Sequence, residues 1–289
     1  MCIMFSDVAL TRFTVTICLV AVALTATSCA AFRPTDVSGP ASNLTPYPVL
    51  LDSAGERENN TIVAWQQMAQ HFGLSDQLTP EIQAGTATLK NLPPTASGAI
   101  VLPRVGTAPA ETEDELRESL RRFIADWKPL IGAEPDQLSL IERTDLPSGE
   151  KIARYEQHPF RYPLRGDFGQ LLIRFKLDRR VTAISSTCLT DVDQLQAQLT
   201  SLTPKITADD AAAHLKGRSI SISTSASSAS FTVPPTAGIE VHQLVAYVKE
   251  HPGVKSSLEV HLAWEIELAN TPIKTAYLDA ITDEIIATK

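Results

Sequence analysis

The chain has 289 residues, 44% of them hydrophobic and 20% charged, with a formal net charge of −8. That length suits one large domain or two ordinary ones, and the hydrophobic content excludes a disordered chain. The acidic balance offers no basic face to neutralise phosphates, so nucleic acid is not expected as a partner.

Residues 13–24 (FTVTICLVAVAL) form an apolar run behind Arg12. A dozen residues fall short of the roughly 20 that span a bilayer, and small residues follow, so residues 1–28 read as a secretory signal. Ala26-Thr27-Ser28-Cys29 resembles the bacterial lipobox, with Ala26 in the place usually held by Leu. The resemblance implies lipidation of Cys29, a membrane anchor by palmitate-type acylation, and a place in the bacterial cell envelope. Ala30 after the cysteine points to the outer membrane in a diderm host; ordinary cleavage and secretion is the alternative. Cys2 and Cys18 leave with the signal, and Cys188 then has no partner, so neither a disulfide framework nor a thiolate metal site is expected.

Residues 29–58 are rich in Pro, Ser, Asn and Gly and read as a flexible tether. Residues 59–110 read as an irregular N-terminal segment with a short helix at 60–72 and one strand at 99–102. The clearest helix starts at Thr112, which forms a capping box with Glu115 and precedes apolar residues at helical spacing: Leu116, Leu120, Phe123, Ile124 and Trp127. Glu113–Arg117 and Glu118–Arg122 are i,i+4 pairs on its exposed side. The period then changes to two, with strands at 138–140, 152–157, 171–177 and 181–185, the last two joined by the turn Asp178-Arg179-Arg180.

A second unit repeats the plan. Thr207 and Asp210 cap a short helix, and residues 219–230 (SISISTSASSAS) could form an edge strand, but their composition favours a mobile loop. Strands follow at 241–248, 257–268 and 274–278, with a terminal piece at 284–287. Residues 257–268 alternate, with Leu258, Val260, Leu262, Trp264, Ile266 and Leu268 on one face. Glu259, His261, Glu265 and Glu267 share the other with Ala263, which predicts a core face and a solvated acidic face. The fold class expected is α+β: two helix-on-antiparallel-sheet units behind a flexible tether.

No histidine stands in HExxH spacing, and there is neither a Gly-rich phosphate loop nor a GxSxG elbow, so the chain reads as a non-enzyme with no metal and no cofactor. Glu265 and Glu267 could bind a partner from the acidic face.

The stretch YEQHPFRYPLRGDFGQLLIRFKLDRRVTAISS, residues 155–186, resembles the fungalysin/thermolysin propeptide (FTP) domain, whose motif Gln157, Pro163, Leu164 and Gly166 match. Arg179 or Arg180 stands where that family has a turn glycine. ITADDAAAHL and LAWEIELANTPIKTAYLDAITDEII are similar to a PepSY domain, with Trp264, Asp279, Ala280, Thr282 and Glu284 matching and Asp283 in place of a glycine. The resemblances imply a propeptide/cystatin-like FTP domain over 111–200 and a PepSY-like domain over 201–289. They cast Pro163, Gly166, Trp264, Asp279 and Thr282 as structural motif residues and Gln157 as a binding residue. In the resembling zymogens this pair precedes a metallopeptidase, assists its folding and inhibits it. Here the hairpin at the junction closes at Lys289. The expectation is a peptidase inhibitor or folding helper acting in trans on a secreted metallopeptidase or another exported protein. The alternative is a structural or ligand-binding module at the membrane surface.

Overall fold

A computed structural model describes residues 46–53, 55–75, 77–106, 112–158, 161–223 and 228–289. The leader, Cys29 and the tether up to residue 45 lie outside the described residues, so the lipidation and targeting expectations fall there. The fold is mixed α+β.

In chain order the elements are β1 (Val49–Asp52), α1 (Glu56–His71), β2 (Glu81–Gln83), β3 (Thr88–Asn91), α2 (Glu113–Asp126), α3 (Lys128–Ile131), β4 (Leu138–Asp145), β5 (Glu150–Gln157), β6 (Leu164–Gly166), β7 (Gln170–Lys176) and β8 (Val181–Ser186). They continue with α4 (Val192–Ser201), α5 (Ala208–Leu215), β9 (Ser219–Ser223), β10 (Ser228–Thr232), β11 (Gly238–His251), β12 (Val254–Ala269), β13 (Thr275–Asp279) and β14 (Ile285–Thr288). No helix among the described residues is long and apolar enough to cross a membrane.

The first sheet is an antiparallel meander, β4-β5-β7-β8. Helix α2 covers it, started as its sequence dictates: Glu115 N–H donates to Thr112 Oγ1 at 3.2 Å while Thr112 N–H donates to Glu115 Oε2 at 2.8 Å. Leu120, Phe123 and Ile124 of α2 pack with Ala153, Leu171, Ile173 and Phe175 of the sheet. Trp65 and Met68 of α1, Leu89 of β3, and Ile100 and Leu102 belong to the same cluster. The segment from Ala64 to Leu102 therefore contributes to this core through Ala64, Trp65, Met68, Leu89, Ala96, Ile100 and Leu102. Residues 98–102 run along the edge of β8, with Gly98 N–H donating to Val181 O at 2.7 Å and Leu102 N–H to Arg179 O at 3.0 Å.

The second sheet has the order β14-β13-β12-β11-β6, with β1 paired to β12 alongside. Its spine is the long β11–β12 hairpin. Leu258 and Val260 pack against β1, α4 and Phe168, while Ile266 and Leu268 pack with Ala211 and Leu215 of α5. Part of the stretch expected as a tether is a strand. Within residues 29–58, β1 pairs Val49 with Val260 and Leu51 with Leu258, because an extended apolar segment there completes a strand edge. Residues 219–223 and 228–232 pair as the hairpin β9–β10, where the Ser-rich composition favours a mobile loop.

One strand joins the two sheets. After β5 the chain leaves the meander, contributes β6 parallel to β11 (Leu164 with Ala246, Gly166 with Val248), and returns as β7. Thr45–Lys289 forms one compact unit.

Candidate functional site

The buried ionisable groups Glu259, His261 and Asp279 come together on the six-stranded sheet. Strand β12 alternates as its sequence indicates, and its second face holds Glu259, His261, Ala263, Glu265 and Glu267. That face is not solvated throughout: Glu259 and His261 are buried at 8% and 6% exposure, and only Glu267 is fully open. Burial comes from segments that alternation within β12 cannot reveal.

Strands β1 and β13 share one edge of β12, meeting end to end near Leu262. The Leu262 carbonyl accepts from Ala280 N–H at 2.8 Å, and its N–H donates to the Tyr47 hydroxyl at 3.1 Å. Tyr47 in turn donates to Asp279 Oδ2 at 2.6 Å. The same oxygen lies 2.8 Å from His261 Nδ1, while Asp279 Oδ1 accepts from the backbone of Ile281 and Thr282 at 2.8 and 2.9 Å. Asp279 therefore caps its own turn and clasps two distant groups. The chain of contacts runs on through His261 Nε2 to Glu259 Oε2 at 3.1 Å, and from Glu259 to Lys249 at 3.1 Å and His251 at 2.6 Å.

Burial by itself raises the Glu259 carboxyl, but hydrogen bonds from His251, His261 and Lys249 outweigh it and hold the group at about 2. For Asp279 burial also pushes upward, and the bonds from His261, Tyr47 and the turn amides bring the net shift below its ordinary value. Tyr47 moves upward, first through burial and then through its bond to the Asp279 carboxylate.

Beside this cluster a cleft of about 370 Å³ opens where the two sheets meet. Its walls come from the end of β5 (Glu156, Gln157), from Pro163 and β6, from the start of β7, and from Tyr277 and Lys289. Here the structure brings together Gln157, Pro163 and Gly166. Gln157 is buried at 2% exposure. Its Nε2 donates to Leu189 O at 2.9 Å and its Oε1 accepts from Leu189 N–H at 2.8 Å, so its amide holds the segment after β8. The Pro163 carbonyl accepts from Ala246 N–H at 3.0 Å. Gly166 has φ +102°, and a Cβ on it would lie 2.2 Å from Val248 O, so only glycine lets β6 approach β11 this closely.

Neither family models nor curated proteins match the chain. What the site residues do is therefore argued from their chemistry here. Arg165 on β6 donates to both carboxylate oxygens of Glu265, at 2.6 and 3.1 Å. Glu265 also accepts from the Tyr277 hydroxyl at 3.2 Å. Burial raises the Glu265 carboxyl and the Arg165 contact more than reverses it, leaving it lowered; the same bond raises Arg165. Burial, with the Glu265 charge beside it, pushes Tyr277 up to about 12. Glu265 is thus spent on joining β6 to β12. Glu267 stands apart and exposed, 3.2 Å from His242. Trp264 points to the other face and donates from Nε1 to Ile206 O at 2.9 Å. Thr282 contributes its backbone amide to the Asp279 cap.

Cys188 is fully buried, and burial pushes its thiol up to about 12 against a weaker opposing bond from Ser186, which keeps it protonated and inert. Tyr47, Lys249, His251 and Arg165 were not singled out from sequence. Tyr47 and Asp279 lie 232 residues apart, and no local pattern connects them.

Proposed function

We propose that this chain is a non-enzymatic exported protein, lipid-anchored through Cys29 at the bacterial cell envelope. In this reading it consists of two propeptide-like helix-on-sheet units behind a flexible tether. It binds a peptidase or another envelope protein in trans, as inhibitor or folding helper. The observation that supports this reading best is the cleft between the sheets. Its frame is fixed by Gln157, Pro163 and Gly166, while Glu156, Gln170 and Lys289 on its rim are exposed. A preformed frame lowers the ordering cost of association, and exposed polar rim groups can pair with a partner without first leaving buried bonds.

The test immobilises the mature chain, passes envelope extract over it, and compares it with a Glu156→Arg/Gln170→Glu double variant. Capture of a defined exported protein by the wild type and its loss in the variant is the expected result. Equal capture by both, or no saturable capture by either, overturns the reading. The cleft's volume also falls in the range of small-molecule sites, roughly 300–1,000 Å³, which supports the ligand-binding alternative. A dialysable ligand that raises the Tm of the purified chain would favour that alternative.

A further inference from the structure

The four-stranded sheet β4-β5-β7-β8 has two faces, and the core occupies one of them. Along β5 and β7 burial alternates. Ala153, Tyr155, Leu171, Ile173 and Phe175 turn into the core, while Ile152, Arg154, Leu172 and Arg174 turn away and are half-buried. Ile152, Leu172 and Ala183 of β8 belong to none of the hydrophobic clusters among the described residues. The ladder sets Ile152 and Ala183 on either side of Arg174, and Leu172 beside Arg154. The same face carries Glu156 and Gln170, the exposed rim of the cleft, so the two surfaces are continuous.

The cations on this face differ in what they meet. Arg154 Nε lies 3.2 Å from Glu142 Oε2, and Lys176 stands opposite Glu150 in the ladder. Arg174 instead has the aliphatic Ile152 and Ala183 opposite it. Its guanidinium makes no hydrogen bond or ion pair among the described residues, and its Nε is withdrawn from water without an acceptor. An N–H left in that condition is costly, and nearly all such groups in folded proteins have a partner. The acceptor for Arg174 has to come from outside the described chain.

We propose that this face receives a carboxylate side chain of the partner protein, an Asp or Glu seated on Arg174 among Ile152, Leu172 and Ala183. A carboxylate set edge-on takes the Nε–H and a neighbouring Nη–H together, the bidentate geometry that a guanidinium favours. The aliphatic side chains keep water from the pair, and an arginine framed in this way is a common anchor of protein interfaces. A single uncompensated cation matches the single charge of a carboxylate, whereas an anionic lipid surface calls for a cluster of basic residues. The inference rests on the reading that the partner is a protein docked at the cleft. It also sets a distance: the acidic residue lies about 13 Å along β7 from the group that meets Gln170.

The probe is isocaproate, a carboxylate on a branched aliphatic chain, titrated into the full mature chain. NMR follows the Arg174 Nε–Hε signal and the methyl groups of Ile152, Leu172 and Ala183. Saturable shifts at these residues are expected, and isocaproamide, the uncharged isostere, should give none. Arg174→Gln should abolish the methyl shifts. Arg174→Lys, which keeps the charge without the fork, should weaken binding about ten-fold. Equal response to the amide, phosphate or phosphatidylglycerol vesicles binding as tightly, shifts centred elsewhere, or an Arg174 signal that moves with protein concentration through self-association would each overturn the proposal. So would an exported protein captured at the cleft that binds Arg174→Gln as well as the wild type. The Glu156→Arg/Gln170→Glu variant should bind isocaproate as the wild type does, so failure here and failure of the cleft reading are separable.

Discussion

Tyr47 does two jobs with one hydroxyl: it donates to Asp279 and accepts the Leu262 amide where β1 and β13 leave a gap. Tyr47→Phe strands a buried N–H and one carboxylate lone pair, so unfolding free energy should fall by about 1–3 kcal/mol in urea titration. The acid response follows from Glu259 and Asp279, whose carboxyls both titrate below their ordinary values in the folded chain. A depressed carboxyl stabilises the fold above its unfolded value and ceases to do so as pH falls to its folded value. Stability should therefore hold above the ordinary glutamate value of 4.5 and decline toward about 2, the value at which Glu259 protonates. Tm measured across that window checks this, and Glu259→Gln should flatten the decline. A profile that is equally steep in the variant would remove Glu259 from the account.

At the level of elements, β6 is the smallest piece with the largest consequence. Three residues pair parallel to β11, and Gly166 permits the approach. Gly166→Ala places a methyl against Val248 O in a left-handed backbone, and should cost about 3 kcal/mol or more. Thermal unfolding reads this directly, and hydrogen exchange should show the loss concentrated at β6 and its β11 partners.

Much at this scale was legible in the sequence. The capping boxes at Thr112 and Thr207 form as the S/T-x-x-D/E spacing indicates, and the alternation of β12 places its apolar face correctly. The turn expected at residues 178–180 forms, with Arg179 at a positive φ of 67°. What local pattern could not show was β1 hidden in a Pro- and Ser-rich stretch, or the burial of Glu259 and His261. Both depend on pairing between segments some 200 residues apart, which leaves no periodic trace in either one.

For the whole molecule, the excursion of the chain through β6 and the packing of β1, Phe168 and α4 on the β11–β12 hairpin make residues 45–289 one compact unit. Unfolding should accordingly be cooperative. Trp65 belongs to the first core, with Trp127 packed against it, and Trp264 packs on the second, so their fluorescence reports on separate halves. Trp264→Phe and the Trp65→Phe/Trp127→Phe pair should each give a single urea transition, and far-UV circular dichroism should coincide with fluorescence in both. Two separated transitions would mean that the halves fold independently and that β6 couples them weakly.

Rigidity of this kind matters for a protein proposed to act by presenting a fixed cleft to another. The most direct measurement is a titration of the purified mature chain against the exported protein it captures. Where that protein is a peptidase, both its activity and its refolding yield are followed. The account predicts a stoichiometric, saturable effect on one of the two, abolished in the Glu156→Arg/Gln170→Glu variant. Activity and refolding that stay unchanged at saturating chain would contradict it.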